Sequence, residues 1–187
     1  IKNGVFPDEI NFAGNYNHVQ NGTFTGSANI AWINDFDTIN FITAGSIITL
    51  TGTLNINNLF ATNGSCSGLI SIKAQTAGSQ ATINKTGGNV NLNYVYLKDI
   101  AATGGATFTA NNSINGGNVT GVTINQPTPK NLYWVGGNGN WSDINHWALS
   151  SGGTGGSCVP NQLDNVFFDG NFNPSRFIFD IEILLCL

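Results

Sequence analysis

The sequence predicts an all-β fold: a right-handed parallel β-helix, that is a solenoid, followed by a short Trp-rich β segment. β-Sandwich modules are the alternative. Three observations carry this expectation. Short apolar runs alternate with period two, and no stretch has the 3.6-residue periodicity of a helix. The longer runs begin near residues 46, 69, 90 and 119, steps close to the roughly 20–45 residues of one solenoid repeat. Gly, Asn and Thr separate the runs, and Gly and Asn tolerate the positive φ that tight corners demand. An antiparallel sandwich would bring its strands round every ~8–12 residues, so the wider step favours the coil.

In chain order the strand-like runs are SANIAWI (27–33), INFITA (39–44), SIITLTGTLNINNLF (46–60), LISIKA (69–74), ATINKT (81–86), VNLNYVYLKDI (90–100), ATFTA (106–110) and VTGVTI (119–124). Alternation sets Ile70, Ile72 and Ala74 on one face. Read as one continuous strand, 90–100 sets Val90, Leu92, Tyr94, Tyr96 and Lys98 opposite Val95, Leu97 and Asp99. QPTPK (126–130) is the clearest boundary, because its two prolines interrupt sheet pairing and stiffen the chain. Residues 1–128 therefore read as a β-solenoid module, and 129–187 as the Trp-rich, truncated start of a following β module. The apolar tail 177–187 is interrupted by Asp180 and Glu182 and is far too short to span a bilayer; it reads as a strand.

Hydrophobic residues make up 41% of the 187-residue chain, enough for a core, whereas charged residues make up only 9% against a typical ~25%. Solubility then rests on Asn, Thr, Ser and Gly, as suits an extracellular β-protein. A net charge of −4 offers no basic patch, which argues against nucleic acid as a partner. The absence of Met reads as a processed piece or an excerpt of a longer protein. The three cysteines are either free buried thiols, or Cys158 and Cys186 form a bridge that leaves Cys66 alone. Such a bridge constrains its loop by about 3–4 kcal/mol. No Cys/His spacing suggests zinc.

No catalytic constellation and no cofactor site are expected. Of the two histidines, His18 carries no signal, and His146 reads as an anchor of its loop against the neighbouring tryptophans. Asp35 and Asp37 share one side of an extended strand. They would suit a carboxylate pair of a β-helix glycan-cleaving enzyme, calcium ligands together with Asn34, or solvated turn residues. Asp164 reads as a turn residue whose carboxylate caps backbone N–H groups, with calcium at Asp164, Asn165 and Asp169 as the other possibility. Tyr133, Trp134, Trp141 and Trp147 would form either a platform for sugar rings or an aromatic plug at the open end of the solenoid. The threonines at 49, 51 and 53 do not recur at matching positions, so an ice-binding ladder is not favoured.

The segment YWVGGNGNWSDINHWALSSGGTGGSCVPNQLDNVFFD (133–169) resembles a module repeated in very large secreted gliding- and adhesin-type surface proteins of Bacteroidota. VNLNYVYLKDIAATGGATFTANNSINGGNVTGVTI (90–124) resembles the closing rungs of the same module. The resemblance implies a cut through a tandem array: module end, Pro linker, next module start. It also implies type IX secretion and a cell-surface location. The function expected from this is a non-enzymatic structural or adhesive module, a stalk or filament. Its partners would be neighbouring modules or copies of the same chain joined through strand edges, and surface glycans. A carbohydrate-binding module is the second expectation.

Overall fold

The computed structural model describes residues 2–7, 10–13, 19–31 and 34–170, and the chain divides into two compact units, Ile1–Gln126 and Pro127–Leu187. The first unit contains β1 (Asn3–Phe6), β2 (Ile10–Ala13), β3 (Val19–Phe24), β4 (Ala28–Ala31), β5 (Asn34–Phe41), β6 (Ile47–Thr51), β7 (Thr53–Thr62) and β8 (Ile70–Ala74). It continues through β9 (Ala81–Asn84), β10 (Asn89–Asn93), β11 (Val95–Lys98), β12 (Ile100–Thr103), β13 (Thr107–Asn111), β14 (Ile114–Asn115), β15 (Val119–Thr120) and β16 (Val122–Asn125). These strands lie in three sheets, ordered β1-β3-β5-β7-β9-β12-β15, β2-β4-β6-β8-β11-β14 and β10-β13-β16. Every ladder within them is parallel. An antiparallel sandwich therefore does not describe this unit.

Parallel neighbours cannot be joined by a hairpin, so the chain has to travel to another sheet before it returns. Up to β9 it alternates between two sheets, and from β10 onward it visits a third in each circuit. The returns are uneven. Partner asparagines on adjacent strands stand 18 residues apart at Asn3/Asn21, 29 at Asn55/Asn84 and 14 at Asn111/Asn125.

Alternation determines which side chains meet inside. Ala28, Ile48, Ile72 and Leu97 are in register on four successive strands, and all four are buried. Phe6, Phe24 and Phe41 are likewise in register, with ring centroids 5.0 and 5.1 Å apart. Phe60 meets Phe41 edge-on at 5.9 Å. Each of the larger buried side chains, the isoleucines, leucine and phenylalanines, contributes about 1.5–3 kcal/mol relative to exposure.

Two runs that look continuous in the sequence are broken by corners. Residues 46–60 divide at Gly52, where φ is 79°, into β6 and β7. Residues 90–100 divide at Tyr94 (φ 53°) and Asp99 (φ 55°) into β10, β11 and β12. Each left-handed residue turns the chain, so Val90 and Leu92 point inward and so do Val95 and Leu97. The single strand with those pairs on opposite faces is thereby corrected.

The second unit has a small sheet ordered β18-β17-β19, built from β17 (Asn131–Trp134), β18 (Trp147–Ala148) and β19 (Asn165–Phe167). β17 pairs antiparallel with β18 and parallel with β19. Leu132, Trp134 and Trp147 form its core, with Trp141, Val159 and Val166 packed against them. The strand expected over 177–187, together with His18 and Cys186, lies outside the described residues. No helix of the described residues is long and apolar enough to cross a membrane.

Candidate functional site

The Trp-rich segment places its four aromatics on one small sheet and one loop. In β17, Leu132 and Trp134 face the core while Tyr133 faces outward. Trp147, on the neighbouring strand, is fully buried. It meets Trp134 edge-on at 5.1 Å and Trp141 at 4.7 Å. Both buried indoles use their one donor: Trp134 Nε1–H donates to the Gly137 carbonyl at 3.0 Å and Trp147 Nε1–H to the Trp141 carbonyl at 2.8 Å. A buried indole N–H needs such a partner.

His146 covers the remaining face of Trp134, stacked at 4.6 Å with an interplanar angle of 11°. Its Nδ1–H donates to the Val135 carbonyl at 2.8 Å, which orients the ring, and Nε2 lies 3.9 Å from Asp143 Oδ2. Asp143 caps the short 3₁₀ turn Ile144–His146 by accepting from the Asn145 backbone N–H at 2.9 Å. A Cβ at Gly139 would overlap the His146 ring, so only glycine lets the loop close there. His146 is thus an anchor of its loop, as its neighbours in the sequence suggest.

The four-aromatic platform is not a single surface. Trp134 and Trp147 are spent on the core, and the accessible aromatics are Tyr133 and Trp141, both partly exposed, together with Phe167 and Phe168. Tyr133 and Phe167 are in register on adjacent strands and stack at 4.9 Å and 18°. Phe167 and Phe168 carry no signal of their own in the sequence, where they read only as strand.

Of the candidate carboxylates, Asp37 and Asp164 are held by local hydrogen bonds. Asp35 and Asp37 flank the buried Phe36 and so share the outward side of β5. Asp37 Oδ1 accepts from Asn57 Nδ2 at 3.3 Å. Asp164 caps backbone: Oδ1 accepts from Lys130 N–H at 2.8 Å and Oδ2 from Asn161 N–H at 2.9 Å. No group of three His, Cys, Asp or Glu side chains that could hold a metal ion occurs among the described residues. Cys66 and Cys158 are both disulfide-bonded, so neither the reading of three free thiols nor the one that leaves Cys66 alone holds.

Register also creates polar ladders that no motif announces. Asn84 Nδ2–H donates to Asn55 Oδ1 at 2.8 Å, and Thr103 donates to Asn84 Oδ1 at 3.3 Å. Gln80 Nε2 reaches the Asn118 carbonyl at 3.0 Å and Thr120 Oγ1 at 3.2 Å. At one corner, buried Asp99 accepts from Asn118 Nδ2 at 2.7 Å and from the Gly78 N–H at 3.1 Å. The Asn118 amide first and the Gly78 N–H second hold the Asp99 carboxyl below its ordinary value, with a smaller contribution from Lys98 and against the opposing effect of burial.

The chain matches no protein-family model, no curated protein and no solved structure.

Proposed function

We propose that this chain is a non-enzymatic structural and adhesive module of a long secreted cell-surface protein, a segment of a stalk or filament, with its first unit wound as a right-handed β-solenoid. The observation that supports this most is the run of parallel ladders through seven strands of one sheet and six of another. Such ladders end in strands whose outer N–H and C=O groups template another strand. In the first unit those ends are β1 and β15, β2 and β14, and β10 and β16. Neighbouring modules or further copies of this chain are the partners that suit them. Disulfide bonding at Cys66 and Cys158 and a surface rich in Asn and Thr rather than charge suit an oxidising, extracellular setting. Sedimentation velocity over a range of concentrations tests the reading. Association that grows with concentration is expected, and a monodisperse monomer throughout would sink it.

A second reading, carbohydrate binding by the second unit, draws on the stacked and partly exposed Tyr133–Phe167 pair and, separately, on the partly exposed Trp141. Glycan binding lost in Trp141→Ala or Tyr133→Ala, with an unchanged circular-dichroism spectrum, would favour it. Unchanged binding in both variants would remove it.

A further inference from the structure

The outward face of the six-stranded sheet carries one feature the polar ladders do not explain. Asn29, Thr49, Lys73 and Lys98 stand in register on β4, β6, β8 and β11. Their strand neighbours Ile30, Ile48, Leu50, Ile72, Ala74 and Leu97 are buried, so this row faces away from the core. Lys73 and Lys98 are therefore adjacent on strands spaced about 4.8 Å apart, and like charges directly opposite are destabilising. A chain with only six lysines and arginines and a net charge of −4 nonetheless sets two of its cations side by side.

Lys73 has no anionic neighbour among the described residues, and Lys98 has one, the Asp99 carboxylate, which it attracts weakly. The ion pair seen among the described residues is His146–Asp143, so it involves neither lysine. Asp99, next to Lys98 in the chain, takes its hydrogen bonds from Asn118 and Gly78 rather than from the ammonium. Beside the lysines on the same face stand Ser71 and Tyr96, themselves in register. The Tyr96 ring lies where a side chain at position 116 would be, in the space left by Gly116, and it remains partly exposed.

We propose that Lys73, Lys98 and Tyr96 form a binding site for an acidic glycan. A sugar carboxylate or sulfate bridges the two ammonium groups, each a compact charge with three rotatable donors, and a sugar ring lies against Tyr96. The hydroxyls of Thr49 and Ser71 on the same face suit the hydroxyls of a saccharide. An anion bound between the two ammonium groups offsets their mutual repulsion. This site depends neither on the stalk reading nor on the tryptophans of the second unit.

The test measures binding of polygalacturonate (carboxylate), heparin (sulfate), a neutral glucan and a polyglutamate peptide at low and raised salt. The parent protein and the Lys73→Thr/Lys98→Thr variant are compared. The parent is expected to bind at least one acidic polysaccharide, more weakly as salt rises, and not the neutral glucan. Which acidic polymer binds distinguishes carboxylate from sulfate. The double variant is expected to bind at least about tenfold more weakly, yet to unfold at no lower temperature, since threonine suits an outward strand position and the repulsion is gone. Trp141→Ala is expected to bind as the parent does. Absence of binding by the parent, equal binding by the double variant, salt-independent binding, or equal affinity for polyglutamate would each overturn the assignment.

Discussion

At the scale of single residues, stability in the second unit rests on how completely one ring is enclosed. Trp147 is fully buried, packs edge-on against two other indoles, and has its N–H satisfied by a backbone carbonyl. Trp147→Ala removes this packing and leaves a cavity, an expected loss of about 3–5 kcal/mol, measured by denaturant unfolding. Trp141, partly exposed at the edge of the cluster, should cost less. Asp99 gives a pH signature. Its carboxyl is held below its ordinary value by Asn118 and Gly78, so its ionised form stabilises the fold fully above the unfolded-state value of about 3.9. That contribution is lost as pH falls below this value and through the lower folded one. Thermal melts from neutral pH down to about 3 should show it, and Asp99→Asn should flatten that part of the curve. The tryptophan cluster was legible as a cluster, because its members sit close in the chain. Which faces are hidden was not, because that depends on how β17 pairs with β18.

At the scale of elements, alternation exposed the inward faces wherever a run stayed in one strand, as at Ile70, Ile72 and Ala74. It failed where a corner lies inside an apolar run. Gly52 is a recognisable breaker, but Tyr94 is a strand-forming aromatic held in the left-handed region, and nothing local marks it. Polar ladders such as Asn55–Asn84–Thr103 were illegible for another reason: they need the register, and the circuits differ in length. The corners tolerate little. Gly121 has φ of 74°, and a Cβ there would run into the Ala102 carbonyl oxygen. Gly121→Ala is expected to destabilise by about 1–3 kcal/mol in chemical denaturation, and a neutral result would mean that the last circuit yields easily.

At the scale of the whole molecule, the described residues are held mainly by β-ladders and apolar stacks, with ion pairs contributing little among them. Raised salt should therefore leave the unfolding midpoint nearly unchanged, whereas reduction of the disulfide bonding at Cys66 and Cys158 should lower stability by about 2–4 kcal/mol. Both are read from calorimetry of the same preparation. The all-β fold with parallel sheets was legible in the sequence because wide-spaced apolar runs without helices leave few other ways to bury them. The move to a third sheet at β10 was not, since β10 looks like any other run. Negative-stain electron microscopy of the concentrated protein shows whether the sheet ends of the first unit join modules end to end. Linear rows of particles one module wide are expected; isolated single particles, or clusters without linear order, would contradict it.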